Sequence, residues 1–322
     1  MAINCTWLQP VFRSPILKLV FPVHTRGLYV SNTQSSGDCK RPTRQQQGAG
    51  GIEKELMSLD CKVAIVTGGA TGIGFSATCH LLKAGARHVI INGPDKEEGE
   101  SAVEQLEERY GENKVTFVRG DVNNCSHFEG LFEMAKNAYG GVDIVFNNAG
   151  ILNDKMWEIQ VDTNIKGVIR GTLLAFKHMG KDNCGKGGVV INSASIVGLQ
   201  TLAGAPIYSA TKYGVIGSIL NFGHKFHYER TGIRVCGICP GVTDTELISG
   251  AYGKQLTPEW NKEATRELSQ LPKQSPDFLG QGLVYIVRYA PSGSVWIVED
   301  SKILRVHIPE LKQISKLVTK FD

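Results

Sequence analysis

The sequence has no long hydrophobic run. None of its apolar stretches approaches the ~20 residues needed to cross a bilayer. The longest early one, 16–23, is broken by Lys18 and Pro22. The chain is therefore not read as an integral membrane protein. Charge of one sign is also scarce: 35 basic against 31 acidic residues leave a net charge of +4. No basic cluster of the kind that binds nucleic acid is present. Cysteine is sparse, with eight in 322 residues, which excludes a disulfide-built scaffold and favours a reducing compartment. Cys236 and Cys239 form a C-x-x-C. They lie in an apolar run read as a strand, where positions three apart face opposite ways. No second Cys or His pair stands nearby at metal spacing, so no metal site is assigned. With 42% apolar and 20% charged residues, the composition is that of a folded globular protein.

Acidic residues are missing from the start of the chain. None precedes Asp38, whereas seven basic residues occur up to Ser58. The stretch 33–51 is rich in Gln, Gly, Ser and Arg and has no periodicity. It cannot bury enough apolar surface to offset the cost of ordering it. Residues 1–58 are read as a leader plus a flexible linker. Basic, acid-poor, hydroxyl-containing leaders are what mitochondrial import uses; a dispensable extension is the alternative. The protein is placed in the cytoplasm, or in the mitochondrial matrix if the leader is a transit peptide.

From residue 59 on, β-rich runs alternate with helical patterns. Strands are expected at 62–67, 88–91, 115–118, 142–146, 188–193, 233–238 and 295–298, and helices at 72–84, 96–110, 126–139, 155–179 and 208–230. Asp95 and Glu98 stand at capping-box spacing before the second helix. This alternation implies an α/β fold: a single doubly wound parallel sheet, apolar on both faces and covered by helices on each. The domain is expected over 59–305, with a substrate lid over 246–280 and a tail over 306–322.

The segment Thr67-Gly68-Gly69-Ala70-Thr71-Gly72-Ile73-Gly74 follows the first strand and opens a helix. Glycines there permit a tight turn and close backbone approach to a pyrophosphate, and the helix N-terminus supplies N–H groups. Gly68, Thr71, Gly72, Ile73 and Gly74 are expected to hold a dinucleotide. An acidic residue at the end of the second strand usually accepts hydrogen bonds from the ribose of NAD. Here that place is taken by Asn92, which hydrogen-bonds a hydroxyl but repels a 2′-phosphate less. Asp95 is read as a helix cap, and no Arg occupies the loop, so NAD is preferred over NADP. After the third strand come Asp121 and Val122; Asp121 either accepts the adenine amino group or caps the next helix. Asn147, Asn148, Ala149 and Gly150 end the fourth strand, where they either line the cofactor riboses or form a turn.

Tyr208 and Lys212 are four apart, on one face of a helix. Ser195 lies thirteen residues upstream, just after a strand. Oxidising an alcohol needs a base to take its proton while hydride leaves. Free tyrosine, with a pKa near ~10, is a poor base. A cation ~4 Å away in an effective dielectric of about 20 contributes about 4 kcal/mol. That corresponds to a drop of at most roughly three units. Lys212 and an oxidised nicotinamide together are expected to bring Tyr208 near ~7. Ser195 is expected to hold the substrate oxygen, with Ser193 as its rival. Asn164, inside the long helix, is expected to carry a water that relays protons through Lys212. The histidines lie outside every one of these motifs, which argues against a serine hydrolase.

Together these residues resemble the short-chain dehydrogenase/reductase family over roughly 59–300. The matching motifs are TGGATGIG (67–74), DV (121–122), NNAG (147–150), Asn164, Ser195, YSATK (208–212) and CPGVTDT (239–245). Within the family the chain is similar to the 15-hydroxyprostaglandin and insect alcohol dehydrogenases, through NNAGILNDKMWE (147–158), VDTNIKGVIRGT (161–172) and SVWIVEDSKI (294–303). The resemblance implies a catalytic tetrad of Asn164, Ser195, Tyr208 and Lys212. It implies that Pro240, Val242, Thr243 and Thr245 meet the nicotinamide amide and phosphates. It further implies NAD-linked oxidation of a secondary alcohol, on a hydroxylated lipid or a small alcohol. The expected assembly is a homodimer or homotetramer packed through the helices carrying Asn164 and Tyr208, with the apolar stretch 216–226 contributing. A dinucleotide-binding module without catalysis is a reading from another class, and the intact tetrad argues against it. Two positions depart from the prostaglandin dehydrogenases, which carry Asp in place of Asn92 and Gln in place of Ala205. Alanine cannot hydrogen-bond a substrate.

Overall fold

The computed structural model describes residues 54–316 and 318, which fall within the unit Gln47–Asp322. The expected leader up to residue 53, and with it the import reading, lies outside the described residues.

The first half alternates strand and helix: β1 (Val63–Thr67), α1 (Gly72–Lys83), β2 (His88–Gly93), α2 (Lys96–Tyr110), β3 (Val115–Arg119), α3 (Cys125–Tyr139) and β4 (Ile144–Asn147). Then follow α4 (Trp157–Val161), α5 (Val168–Met179), β5 (Gly188–Ser193), α6 (Pro206–Phe222), α7 (Lys225–Thr231) and β6 (Ile233–Pro240). The last part holds β7 (Val242–Thr243), α8 (Glu246–Ser249), α9 (Pro258–Ser269), β8 (Lys273–Gln274), α10 (Pro276–Tyr289), β9 (Val295–Glu299), β10 (Lys302–Arg305) and α11 (Leu311–Ile314). The main sheet runs β10-β9-β6-β5-β4-β1-β2-β3. Every neighbour in it is parallel except β10, which is antiparallel to β9. The expected doubly wound α/β sheet is what forms.

Alternate residues of each strand supply two separate cores. In β1, Ala64 and Val66 pack with α1 and α10 residues such as Leu81 and Leu283. Val63 and Ile65 face the other way, onto Phe128 of α3 and Ala175 of α5. Strands buried on both faces must be apolar throughout, which is why they read as continuous runs. Cys236 and Cys239 are both fully buried and join different clusters, on opposite faces of β6.

Several boundaries differ from expectation. The helix expected over 155–179 contains a 3-10 turn at Asp154–Met156 and a widened π turn at Asp162–Gly167 between α4 and α5. The helix expected over 208–230 breaks after Phe222. A Cβ on Gly223 would lie 2.3 Å from Gly293 N, and the His224 side chain caps α7 by accepting from Phe226 N. Ile216 and Ile219, expected to serve an interface, are buried against the sheet. Residues 276–280 belong to α10 and not to the lid, because Ser275 caps that helix, Pro276 starts it and Leu279 is buried in the core. The domain begins before residue 59: Leu56 N and Met57 N donate to Arg288 O at 2.7 and 3.3 Å. β10 was not anticipated, since its hairpin turns on Asp300 and Ser301, both at positive φ without a glycine. No helix among the described residues is long and apolar enough to cross a membrane.

β1 and β4 are neighbours, and the strand order reverses between them. In a doubly wound sheet the crevice at that point, beyond the carboxyl ends of the strands, is where ligands bind.

Candidate active site

The loop after β1 turns through Gly68 at φ +61° and Gly72 at φ +53°, where a side chain would be strained. A Cβ on Gly74 would stand 1.9 Å from Gly68 O, so the helix can pack under its own loop only without one. The loop after β4 locks it in place. Asn148 Nδ2 donates to Thr67 O and Gly68 O, both at 3.1 Å. Thr67 Oγ1 accepts from Asn148 N and Ala149 N, both at 3.0 Å. The Thr71 side chain makes no cap bond, and the first turn of α1 holds no acid. The free N–H groups of that turn therefore suit a phosphate. Gly68, Thr71, Gly72, Ile73, Asn148, Ala149, Gly150, Tyr208, Lys212, Pro240, Thr243 and Thr245 line one cavity of about 190 Å³. This glycine-walled cradle suits the pyrophosphate of a dinucleotide.

Other expected residues fall elsewhere. Asn92 is buried, and its amide donates to Val118 O and Gly120 O, both at 3.0 Å. Only its Oδ1 is left to accept from a hydroxyl. Asp121 does not cap α3; Asn124 does, accepting from Ser126 N and His127 N. Asp121 accepts from Asn123 N at 2.8 Å and is otherwise exposed. Val122 is buried against Gly167. Val242 lines the neighbouring cavity instead of this one. Arg119 stands at the end of β3, outside the loop after β2. It pairs with Gly93 across the sheet, and its Nε donates to Pro94 O at 3.0 Å.

Tyr208 and Lys212 are both buried near the start of α6. Lys212 Nζ donates to Ser193 O at 3.0 Å and lies 5.5 Å from the centre of the Tyr208 ring. Burial pushes the Tyr208 phenol above its ordinary value, opposed by a hydrogen bond from Ser195. Burial also lowers Lys212, to about 8. Lys212 and an oxidised nicotinamide together are expected to bring Tyr208 toward neutrality; the protein alone shows the opposing effect of burial. Desolvation penalises the charged form of each residue, and the ammonium is anchored on a carbonyl. Ser193, the rival serine, contributes that carbonyl. Ser195 opens a 3-10 turn, where its Oγ accepts from Val197 N at 3.3 Å.

Asn164 is held by its side chain. Its Nδ2 donates to Ile151 O at 2.9 Å and Thr211 Oγ1 at 3.1 Å, and its Oδ1 accepts from Ile151 N at 2.9 Å. With these bonds the side chain ties the loop after β4 to α6. A Cβ on Gly150 would meet Asn164 Oδ1 at 3.2 Å and Lys212 Nζ at 3.7 Å, so Asn164 and Lys212 flank that glycine.

Comparison with known proteins agrees with this geometry. A family model described as short chain dehydrogenase matches residues 62–255. The chain belongs to the short-chain dehydrogenase family. It is 32% identical over 251 residues to a Rattus norvegicus 15-hydroxyprostaglandin dehydrogenase [NAD(+)], covering 76% of this chain and 94% of that protein. It is 31% identical to alcohol dehydrogenase 1 of Ceratitis capitata, covering 78% and 96% of the two chains. The crystal structure of levodione reductase superposes with a TM-score of 0.66 at 23% identity, over 74% of this chain and 96% of that one. This last likeness concerns the fold.

A second cavity of about 240 Å³ adjoins the dinucleotide cradle of this dehydrogenase, with Ile248 in the wall of both. Leu152, Ala205, Val242 and Ala251 contribute apolar wall. Leu152, Ala205 and Ala251 also cluster with Tyr208. Much of the rest comes from α9 and the segments around it, where the lid was expected.

Sequence reasoning missed Asp154. It is fully buried, and its carboxylate accepts from Tyr208 N and Ile207 N, each at 3.0 Å, and from Gln160 Nε2 at 2.8 Å. It thus holds the first turn of the helix that carries Tyr208. Its backbone partners are 53 and 54 residues away, so no local spacing reveals it. Asp154→Ala leaves three buried donors unpaired, at a cost of about 3 kcal/mol. The expected result is a melting temperature lower by about 9 °C. An unchanged melting curve would show that α6 is held in another way.

Proposed function

We propose that this protein oxidises a secondary alcohol to a ketone, with NAD as hydride acceptor and Tyr208 as base. The observation that carries this reading is the burial of Tyr208 and Lys212 on the wall of the glycine-loop cavity, with a second, partly apolar cavity across Ile248. The nicotinamide, when bound, supplies the hydride acceptor and a positive charge. The Tyr208 oxygen takes the hydroxyl proton of the substrate as hydride leaves its carbinol carbon. The Lys212 ammonium and that positive charge together favour the phenolate, and the Ser195 hydroxyl donates to the substrate oxygen. Asp154 and Asn164 hold α6 and the loop after β4 in register.

Carboxylates gathered after β2 favour NAD. Partial burial, then Asp95 and Glu246, raise the Glu98 carboxyl above its ordinary range. Negative charge at this end of the sheet disfavours a 2′-phosphate. The prostaglandin dehydrogenase relatives carry NAD(+) in their names. The substrate cavity, about 240 Å³, has room for more than the smallest alcohols. Leu173 on α5 and Tyr213 on α6 are exposed, which supports a homodimer or homotetramer.

The test uses the full chain with NAD and NADP separately, on secondary alcohols from 2-propanol to 2-octanol and on a 15-hydroxyprostaglandin. The expected result is kcat/KM that rises with chain length, and at least a tenfold preference for NAD. Cofactor binding with no reduction by any alcohol would return the chain to the binding-module reading.

A further inference from the structure

One wall of the dinucleotide cavity is built where the main sheet ends. β6 stops at Pro240, and the chain crosses into β7, whose Thr243 pairs with Gln274 of β8. Asp244 N donates to Gln274 O at 2.9 Å. Thr243 Oγ1 donates to Gly241 O at 2.9 Å, and Thr245 Oγ1 to Thr243 O at 3.2 Å. Gly241, Thr243 and Thr245 all line the cavity. A Cβ on Gly72 would lie 3.1 Å from Thr245 Cγ2, so this wall meets the glycine loop. A ladder as short as β7–β8 is marginal by itself. Gln274 ties it to the main sheet. The residue is 6% exposed, and its Nε2 donates to Val298 O at 2.7 Å. The same oxygen accepts from Gly241 N at 3.0 Å.

Gln274 does not line the cavity itself and acts through that wall. The strand order puts β6 and β2 on opposite sides of β1 and its glycine loop. The end of β2 is where such a fold holds the adenosine ribose, and the pyrophosphate sits on the first helix. The nicotinamide half therefore falls on the β6 side, against Thr243 and Thr245. We propose that Gln274 is a positioning residue for that half of the cofactor. Its amide clamps residues 241–245 to Val298 and so fixes the gap between them and the glycine loop. This rests on the dehydrogenase reading above.

The test is titration calorimetry of the full chain with NAD and with AMP, which lacks the nicotinamide half. Gln274→Met conserves volume and removes the amide donor. Val298 O keeps its bond from Gly241 N, so no backbone acceptor is stranded. The melting temperature is expected to fall by no more than about 3 °C. NAD is expected to bind about tenfold more weakly, with AMP changed less than about threefold. Gln274→Asn keeps an amide but is one methylene too short to reach Val298 O. It is expected to shift the ratio of the two constants by about the same tenfold. A variant that melts earlier still answers, since both ligands are read on the same folded chain. Equal losses of NAD and AMP would mark Gln274 as structural and overturn the inference. Unchanged NAD affinity in both variants would overturn it while leaving the dehydrogenase reading intact. A wild type that binds no NAD would overturn both.

Discussion

Tyr208→Phe is expected to lower kcat/KM by about 10³-fold, roughly 4 kcal/mol of transition-state stabilisation. Dissociation constants for the cofactor should change less than threefold. The substitution removes one oxygen and leaves the ring, which packs with Leu152, Ala205 and Ala251. It therefore removes the proposed proton acceptor without opening a cavity. A fall of less than tenfold would rule Tyr208 out as the base. A parallel loss of cofactor affinity would point to packing instead.

Lys212→Met is expected to move activity and stability in opposite directions. Burial lowers Lys212 from 10.5 to about 8 in the folded chain. Folding therefore favours the neutral amine, and the cost of burying the ammonium is present in full below pH 8. It is relieved as pH rises from about 8 to 10.5. At 1.36 kcal/mol per unit the cost is about 3 kcal/mol, offset by about 1 kcal/mol from the bond to Ser193 O. Methionine removes both. The variant should gain about 2 kcal/mol at neutral pH, near 5 °C in melting temperature, while turnover falls by two orders of magnitude or more. Its stability should also lose the wild-type rise between pH 8 and 10.5. A variant that melts earlier than wild type, or keeps that rise, would refute this account. A charge kept in a dry site at the expense of stability is what an active site requires.

Much of this was legible in the sequence because it is local. Continuous apolar runs alternating with helical periods announce a parallel sheet, and seven of those runs became strands of it. The glycine spacing 67–74 needs only a turn followed by a helix, and Tyr208 and Lys212 need only one helical turn between them. Boundaries were less legible. The break at Gly223 depends on the approach of Gly293, and the start of α10 at Pro276 is marked only by its serine cap and proline. β10 carries no such local signal, because its turn uses Asp300 and Ser301 with no glycine.

By itself, then, the sequence determined the fold class, the dinucleotide loop and the Tyr–Lys pair, since each rests on interactions spanning a few residues. Tertiary structure alone decided what those groups touch. It joined Asp154 to the head of α6, gave Lys212 the Ser193 carbonyl, and tied Asn164 to Ile151. It turned the Asn92 amide toward Val118 and Gly120 and set Arg119 beside Pro94. Most of these partners stand tens of residues apart in the chain. Their pairing is set by strand order and packing, which no short-range pattern encodes, and burial then decides how each charge and hydrogen bond behaves.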